Sequence, residues 1–254
     1  MIRHYIIMSS AYTEGKRIAL DITDEKLLNR EEIEKITAKI KRECGDDVPL
    51  STHFIEAESS CWDDISSYDP FFSGVEKVTN IDDFCRKINS GRTLSGLDVA
   101  KYIITKVKCT HLSLEKLTYF AYADYLCSTT KRLFDDDIYA FTYGPVVFSV
   151  YEKYKTMGAK CIDNHGDINI NKNGAIHTDL SEISSRSRIL FAKDGAKKLQ
   201  SIDDTIERYK YMSASELVER THRQGTPWER VDSKSRYTII PDALIEKYHY
   251  IECK

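Results

Sequence analysis

Ser113–Tyr154 reads SLEKLTYFAYADYLCSTTKRLFDDDIYAFTYGPVVFSVYEKY, and the rest of the chain is organised around it. Leu114, Leu117, Ala121 and Tyr125 recur at helical spacing, while Tyr119, Phe120, Tyr122 and Leu126 fill most of the remaining circumference. Only a thin stripe with Lys116 and Asp124 is left to face water, so the spacing predicts a central, mostly buried helix. Ser113 suits its N-cap, since its hydroxyl accepts a free first-turn N–H, and Glu115 adds favourable charge at the positive helix end. After the acidic run Asp135–Asp137, the aromatic-rich Ile138–Tyr143 predicts a short strand. Gly144 then frees the backbone to turn and Pro145 takes the first position of a second helix, where no N–H is needed. That helix carries Val146, Val147, Val150, Tyr151 and Tyr154, and Gly158 ends it.

At 254 residues the chain has room for one large or two ordinary domains. A hydrophobic share of 41% is modest, but 16 tyrosines add large amphipathic area and make a packed core feasible. The 37 basic and 40 acidic residues are well mixed and leave a formal charge of −3, which does not favour nucleic acid as a partner. The seven cysteines are too far apart for any Cys-x-x-Cys pair and odd in number. We therefore expect reduced thiols in the cytoplasm, with no disulfide framework and no zinc site. Met1–Met8 is far short of a signal peptide, and no segment approaches the ~20 apolar residues of a membrane span.

In the first third, Ile2–Met8 reads as a strand, Arg17–Ile22 as its alternating partner, and Ala11–Lys16 as the turn between them. Asn29 is placed to cap a helix with Ile33, Ile36 and Ile40 on one face, ended by Gly45. A strand over Leu50–Ala57 and a helix over Ile81–Ile88, opened by Asn80, complete a small α+β unit whose sheet is covered on one side. Ser59–Phe72 is the least regular part. Its Trp62, Phe71 and Phe72 read either as an exposed aromatic loop for a partner or as rings lying back on the sheet.

Ser90, Gly91 and Arg92 mark a boundary, so the expected organisation is an α+β domain over residues 1–90 and a mainly helical domain over residues 91–254. Ser95 with Asp98, and Ser213 with Glu216, form capping boxes for two helices of the second domain. Ile168–His177, centred on Asn173-Gly174, predicts a hairpin. A helix follows over Gly195–Tyr211, and Ile240-Pro241 starts the last one. The fold class is α+β.

Chemistry is hard to find. His222 precedes the Gly225-Thr226-Pro227-Trp228 turn, but no nucleophile or orienting acid accompanies it, so it reads as a structural hydrogen-bonding residue. Asp163, His165, Asp167 and His177 are the residue types turns collect for backbone reasons, and Asp135–Asp137 reads as a solvated loop. No phosphate-binding glycine pattern occurs. No catalytic residue, cofactor or metal is expected.

Three segments carry a resemblance: Leu112–Tyr122, Ala140–Tyr151 with its Tyr-Gly-Pro-Val-Val run, and Ser213–Leu217 with Thr221-His222 and Gly225–Trp228. They resemble the Panacea domain family of phage-associated GepA-type and SocA-like proteins, over roughly Leu94–Tyr250. The resemblance implies an antitoxin that binds and neutralises a toxin, encoded next to it, and admits a SocA-like adaptor role with a protease. Candidate contact residues are Tyr119, Phe120, Tyr143, Gly144, Pro145, His222 and Trp228, expected to form an apolar surface with polar tips, together with Trp62, Phe71 and Phe72. The alternative is that residues 1–90 are an enzyme or a nucleic-acid-binding regulator governed by the second domain. It rests on Arg3, His4, His53 and Glu56 gathering in a cleft, or on the modest basic patch of Lys35, Lys39, Lys41 and Arg42.

Overall fold

Alternation of apolar residues along the first two strands decides the architecture of the N-terminal part. A computed structural model describes residues 1–11, 15–23, 30–162, 181–231 and 238–254. It divides the chain into two compact units, Met1–Thr93 with Phe191–Lys193, and Leu94–Leu190 with Asp194–Lys254. The class is α+β, as expected, with a sheet first and helices after it.

The first unit runs β1 (Ile2–Ala11), β2 (Lys16–Thr23), α1 (Arg30–Cys44), β3 (Ser51–Ala57), α2 (Trp62–Tyr68), a 3-10 turn (Pro70–Phe72), β4 (Val75–Val78) and α3 (Ile81–Ser90). The sheet order is β3-β1-β2-β4, antiparallel except for the parallel pair β2 and β4. Ala11 lies opposite Lys16, so the expected hairpin forms; Asn29, the expected cap of α1, lies outside the described residues.

Ile7, Ala11, Leu20 and Ile22 face Ile40 and Cys44 of α1 and Phe84 and Ile88 of α3. Ile6, Met8 and Ala19 point the other way, onto Ile65, Phe72 and Val75. The sheet is thus covered on both faces, which corrects the one-sided expectation. The cover of the second face is the segment read as irregular. Phe72 lies back on the sheet, where burying such a ring is worth about 1.5–3 kcal/mol, and half-buried Trp62 donates Nε1 to the Val75 carbonyl at 3.3 Å, whereas Phe71 stays outside.

The second unit contains α4 (Gly96–Lys106), β5 (Cys109–Thr110), α5 (His111–Thr129), β6 (Ile138–Phe141), β7 (Gly144–Val147), α6 (Phe148–Tyr154), β8 (Cys161–Ile162), α7 (Ser181–Phe191, ending at the unit boundary), α8 (Gly195–Tyr209), α9 (Ala214–His222) and α10 (Asp242–Tyr248). Helix α5 is its axis and packs against α4, α8, α9, α10 and β7. Strand β6 pairs with β7 on one side, and Thr238–Ile240 bonds to it through Ala140 N–H to the Thr238 carbonyl and Ile240 N–H to the Ile138 carbonyl, both 2.8 Å. The hairpin expected at Ile168–His177 lies outside the described residues. No helix among the described residues is long and apolar enough to cross a membrane.

Three local readings are corrected here. The N-cap of α5 is Thr110, and Ser113 is the third helical residue, each accepting the other's backbone N–H in a reciprocal box. Helix α5 has no charged stripe at its start, because neighbours enclose it all round and Lys116 and Glu115 are both buried. Pro145 does not start a helix. It sits in β7 opposite Ala140, since Val146 and Val147 prefer extended backbone and a proline ring tolerates it where no ladder N–H is required.

Candidate functional site

Helices α5 and α9 and the β6–β7 hairpin meet at Gly144. Thr142 and Tyr143 form a two-residue turn, after which Gly144 adopts φ +98°, a conformation that favours glycine. The space at Gly144 is equally restrictive, since a Cβ there would lie 2.5 Å from Thr221 Oγ1 and 3.1 Å from Lys116 Nζ. Trp228 Nε1 donates to the Phe141 carbonyl at 2.8 Å. The His222 ring lies 3.8 Å from the Trp228 ring, with Nδ1 2.8 Å from the Val218 carbonyl and Nε2 facing the Thr142 carbonyl at 3.2 Å. Through these contacts His222 braces the hairpin tip as well as its own helix. Tyr143 is left 67% exposed on a turn whose neighbouring carbonyls, Phe141 and Thr142, are held by Trp228 and His222.

Beside this turn lies a cavity of about 710 Å³, with His111, Glu115, Lys116, Phe141, Tyr143 and Tyr151 in its wall. Lys116 is fully buried and donates to the Pro145 carbonyl at 2.7 Å. Burial pushes its pKa down to about 7, with Glu115 and Glu252 pulling partly the other way. Glu115 is 1% exposed. Burial raises its pKa, and His111 and Lys116 offset only part of that. His111 Nε2 stands 3.3 Å from Glu115 Oε1, yet among the described residues neither carboxylate oxygen nor that nitrogen completes a hydrogen bond. A buried carboxylate short of donors is a place where a donor group from a bound molecule would be stabilised.

Tyr119 and Phe120 do not belong to this surface. Both are fully enclosed; Phe120 stacks on Tyr209 at 4.5 Å, and Tyr119 donates its hydroxyl to Glu252 Oε2 at 2.8 Å. Their place in a helix buried on every side leaves no face for a partner, which corrects the expectation of an apolar surface shared with Tyr143 and Trp228. Tyr119 instead opens a buried polar chain. Glu252 accepts from His249 Nδ1 at 2.6 Å, and His249 Nε2 donates to Asp124 Oδ1 at 3.0 Å. Burial works against the His249 imidazolium, but its bonds to Asp124, Cys253 and Glu252 outweigh that and hold its pKa well above the ordinary value.

In the first unit Phe72 is buried, Trp62 half-buried and Phe71 47% exposed, with the Arg17 guanidinium 5.1 Å from the Phe71 ring centre. Phe54, which the sequence did not single out, is 59% exposed on β3. The cleft imagined from Arg3, His4, His53 and Glu56 does not form. Arg3 pairs with Glu56 across the strands while His53 pairs with Ile6, so the period-2 pleat puts Arg3 and Glu56 on one face and His4 and His53 on the other. His4 is buried between Asp21 Oδ1 at 2.9 Å and the Ser59 carbonyl at 3.0 Å. Asp136 is no solvated loop residue either, since it accepts from Gly96 N–H at 2.8 Å and from Ser149 Oγ at 2.5 Å. Asp163, His165, Asp167 and His177 lie outside the described residues. The buried roles of Glu115, Lys116 and His111 and the Glu252–His249–Asp124 chain were not legible, because polar residues scattered among apolar ones carry no spacing rule.

Residues 114–229 match the family described as antitoxin SocA-like, Panacea domain, so the match falls almost wholly in the second unit and takes in most of the three segments quoted above. Among curated proteins, the antitoxin SocA of Caulobacter vibrioides (strain NA1000 / CB15N) is 31% identical over 142 residues, spanning 54% of this chain and 68% of that relative. No solved structure matches significantly.

Proposed function

Because the chain belongs to the antitoxin SocA-like, Panacea domain family, we propose that it is an antitoxin that neutralises a toxic protein, the product of an adjacent gene, by binding it directly. The observation that carries the contact site is Tyr143, a large amphipathic ring held 67% exposed at the rim of the Glu115 cavity by a braced turn. A rigid exposed tyrosine supplies contact area at little entropic cost, which is how interface anchors work. The adjoining cavity, with aromatic walls and an incompletely satisfied carboxylate, suits a basic side chain of the toxin. Phe71 and Phe54 offer a second apolar contact on the first unit.

Co-purification of the adjacent-gene product with the full chain tests this reading. Tyr143→Ala is expected to weaken the complex at least about tenfold without changing the melting temperature, since truncating an interface anchor costs upwards of ~1.4 kcal/mol. Glu115→Gln should weaken it as well. If Tyr143→Ala, Glu115→Gln and Phe71→Ala all bind like wild type, the contact site lies elsewhere.

A further inference from the structure

Three side chains with metal-ligating atoms converge where the buried polar chain reaches the surface of the second unit. Asp124 comes from α5, while His249 and Cys253 follow α10, and their donor atoms all lie within 4.8 Å of one another. His249 Nε2 is 3.0 Å from Asp124 Oδ1 and 3.5 Å from Cys253 Sγ. A tetrahedral zinc ion holds nitrogen and oxygen at about 2.0–2.2 Å and sulfur at about 2.3 Å, which places N and O roughly 3.3 Å apart and N and S roughly 3.6 Å apart. Both separations from His249 therefore already stand close to ligand-to-ligand values, and the Asp124 and Cys253 donors, within 4.8 Å of each other, must close to roughly 3.6 Å around the ion.

The orientation of His249 is the independent observation. Its far nitrogen, Nδ1, is fixed by the buried carboxylate of Glu252 at 2.6 Å, and Glu252 is in turn held by the Tyr119 hydroxyl at 2.8 Å. This aims Nε2 at Asp124 and Cys253, as outer-sphere carboxylates do for metal-bound histidines. Thr205 donates to the other Asp124 oxygen, Oδ2, at 2.8 Å, which fixes the carboxylate with Oδ1 toward His249. Facing the group from α8 is the Arg208 guanidinium, 3.2 Å from both Asp124 oxygens; it is half exposed, and the ion takes over its charge pairing with Oδ1. From the same helix the Tyr209 hydroxyl lies 3.8 Å from Cys253 Sγ.

We propose that Asp124, His249 and Cys253 bind a divalent ion of the zinc class, with Glu252 as the positioning carboxylate and a fourth position open on the solvent side of Cys253. Carboxylate, imidazole and thiolate together suit zinc better than calcium or magnesium. Binding releases the Nε2 proton of His249 and the thiol proton of Cys253 to solvent and changes no oxidation state. The ion would tie the turn after α10 to α5.

The test is titration of the metal-free full chain with cobalt(II), then zinc. One equivalent of cobalt(II) is expected to produce a thiolate-to-cobalt charge-transfer band, which zinc abolishes by displacement, and zinc should raise the melting temperature. Cys253→Ser, at an exposed position, should remove both effects, whereas Cys61→Ser in the first unit should leave both intact. Glu252→Gln should keep the band but weaken affinity about 10–100-fold. Absence of a band, or a band that survives Cys253→Ser, overturns the site; an unchanged affinity in Glu252→Gln overturns the role given to Glu252.

Discussion

Gly144 is where backbone and packing make the same demand. Alanine there must hold φ +98° and place a methyl group 2.5 Å from Thr221 Oγ1. The first costs about 1–2 kcal/mol and the second about 1–3. Gly144→Ala is therefore expected to lower stability by about 2–5 kcal/mol, read as a shifted urea midpoint at unchanged slope. Lys116, 3.1 Å from that same hypothetical methyl group, makes a pH prediction. With its folded pKa near 7 against an ordinary 10.5, the unfolded chain holds a proton that the folded chain has released throughout that interval. Stability therefore rises with pH across it, while below about pH 7 both states are protonated and the cost of the buried ammonium is fully felt. From pH 7 to pH 9 the wild type should gain up to ~1.4 kcal/mol per pH unit relative to Lys116→Met. Urea titrations of both proteins at the two pH values check it; parallel responses would mean that the ammonium is hydrated. Neither residue's role was legible beyond its type. Gly144 announced a turn, but nothing in a single sequence says that a lysine one turn into a helix is enclosed.

At the scale of elements, the β6–β7 hairpin is held at its tip by side-chain bonds from Trp228 and His222, besides its own short ladder. Trp228→Phe removes the indole donor to the Phe141 carbonyl (2.8 Å) while keeping a ring against His222. We expect a loss of about 0.5–1.5 kcal/mol, and faster amide exchange at Phe141–Gly144 than in the body of α5, measured by hydrogen exchange. This is also the scale at which the sequence was most readable. The boxes Ser95/Asp98 and Ser213/Glu216 and the Asn80 cap are where their spacing put them, because capping is a contest among a few adjacent groups. The same logic misplaced the cap of α5 by three residues, since Thr110 and Ser113 are both competent caps at the two ends of one box and β5 leads the chain in at Thr110. Pro145 misled for a related reason. Its ring fixes φ equally well for a first helical turn and for a strand, and the choice fell to Val146 and Val147 and to the Lys116 ammonium that seeks the Pro145 carbonyl. Strand β4 has four residues and a parallel partner remote in sequence, and so left no local signature.

For the whole molecule, the N-terminal unit has a core of its own on both faces of its sheet, and the family match falls almost wholly in the other unit. Its aromatics were legible as a group, but which ring stays outside depends on the pleat, and that is why Phe72 is buried while its neighbour Phe71 is exposed. A chain whose family-like part is shared with other antitoxins needs some other source of partner choice, and the unmatched unit with Phe71 and Phe54 on its surface is the candidate. Removing residues 1–90 retains Arg92, whose carbonyl accepts the Lys193 N–H at 3.0 Å, and leaves intact every element packed on α5. The remainder, residues 91–254, is expected to keep a helical far-ultraviolet spectrum and a cooperative melt, because α5 and the helices packed on it belong to the second unit. It is also expected to lose neutralisation of the adjacent-gene product in a growth-rescue assay. Full rescue by this fragment would assign partner choice to the Tyr143 turn and its cavity alone. An unfolded fragment would mean that the two units are not independent in stability, and Phe71→Ala and Phe54→Ala in the full chain would then decide whether the first unit touches the toxin.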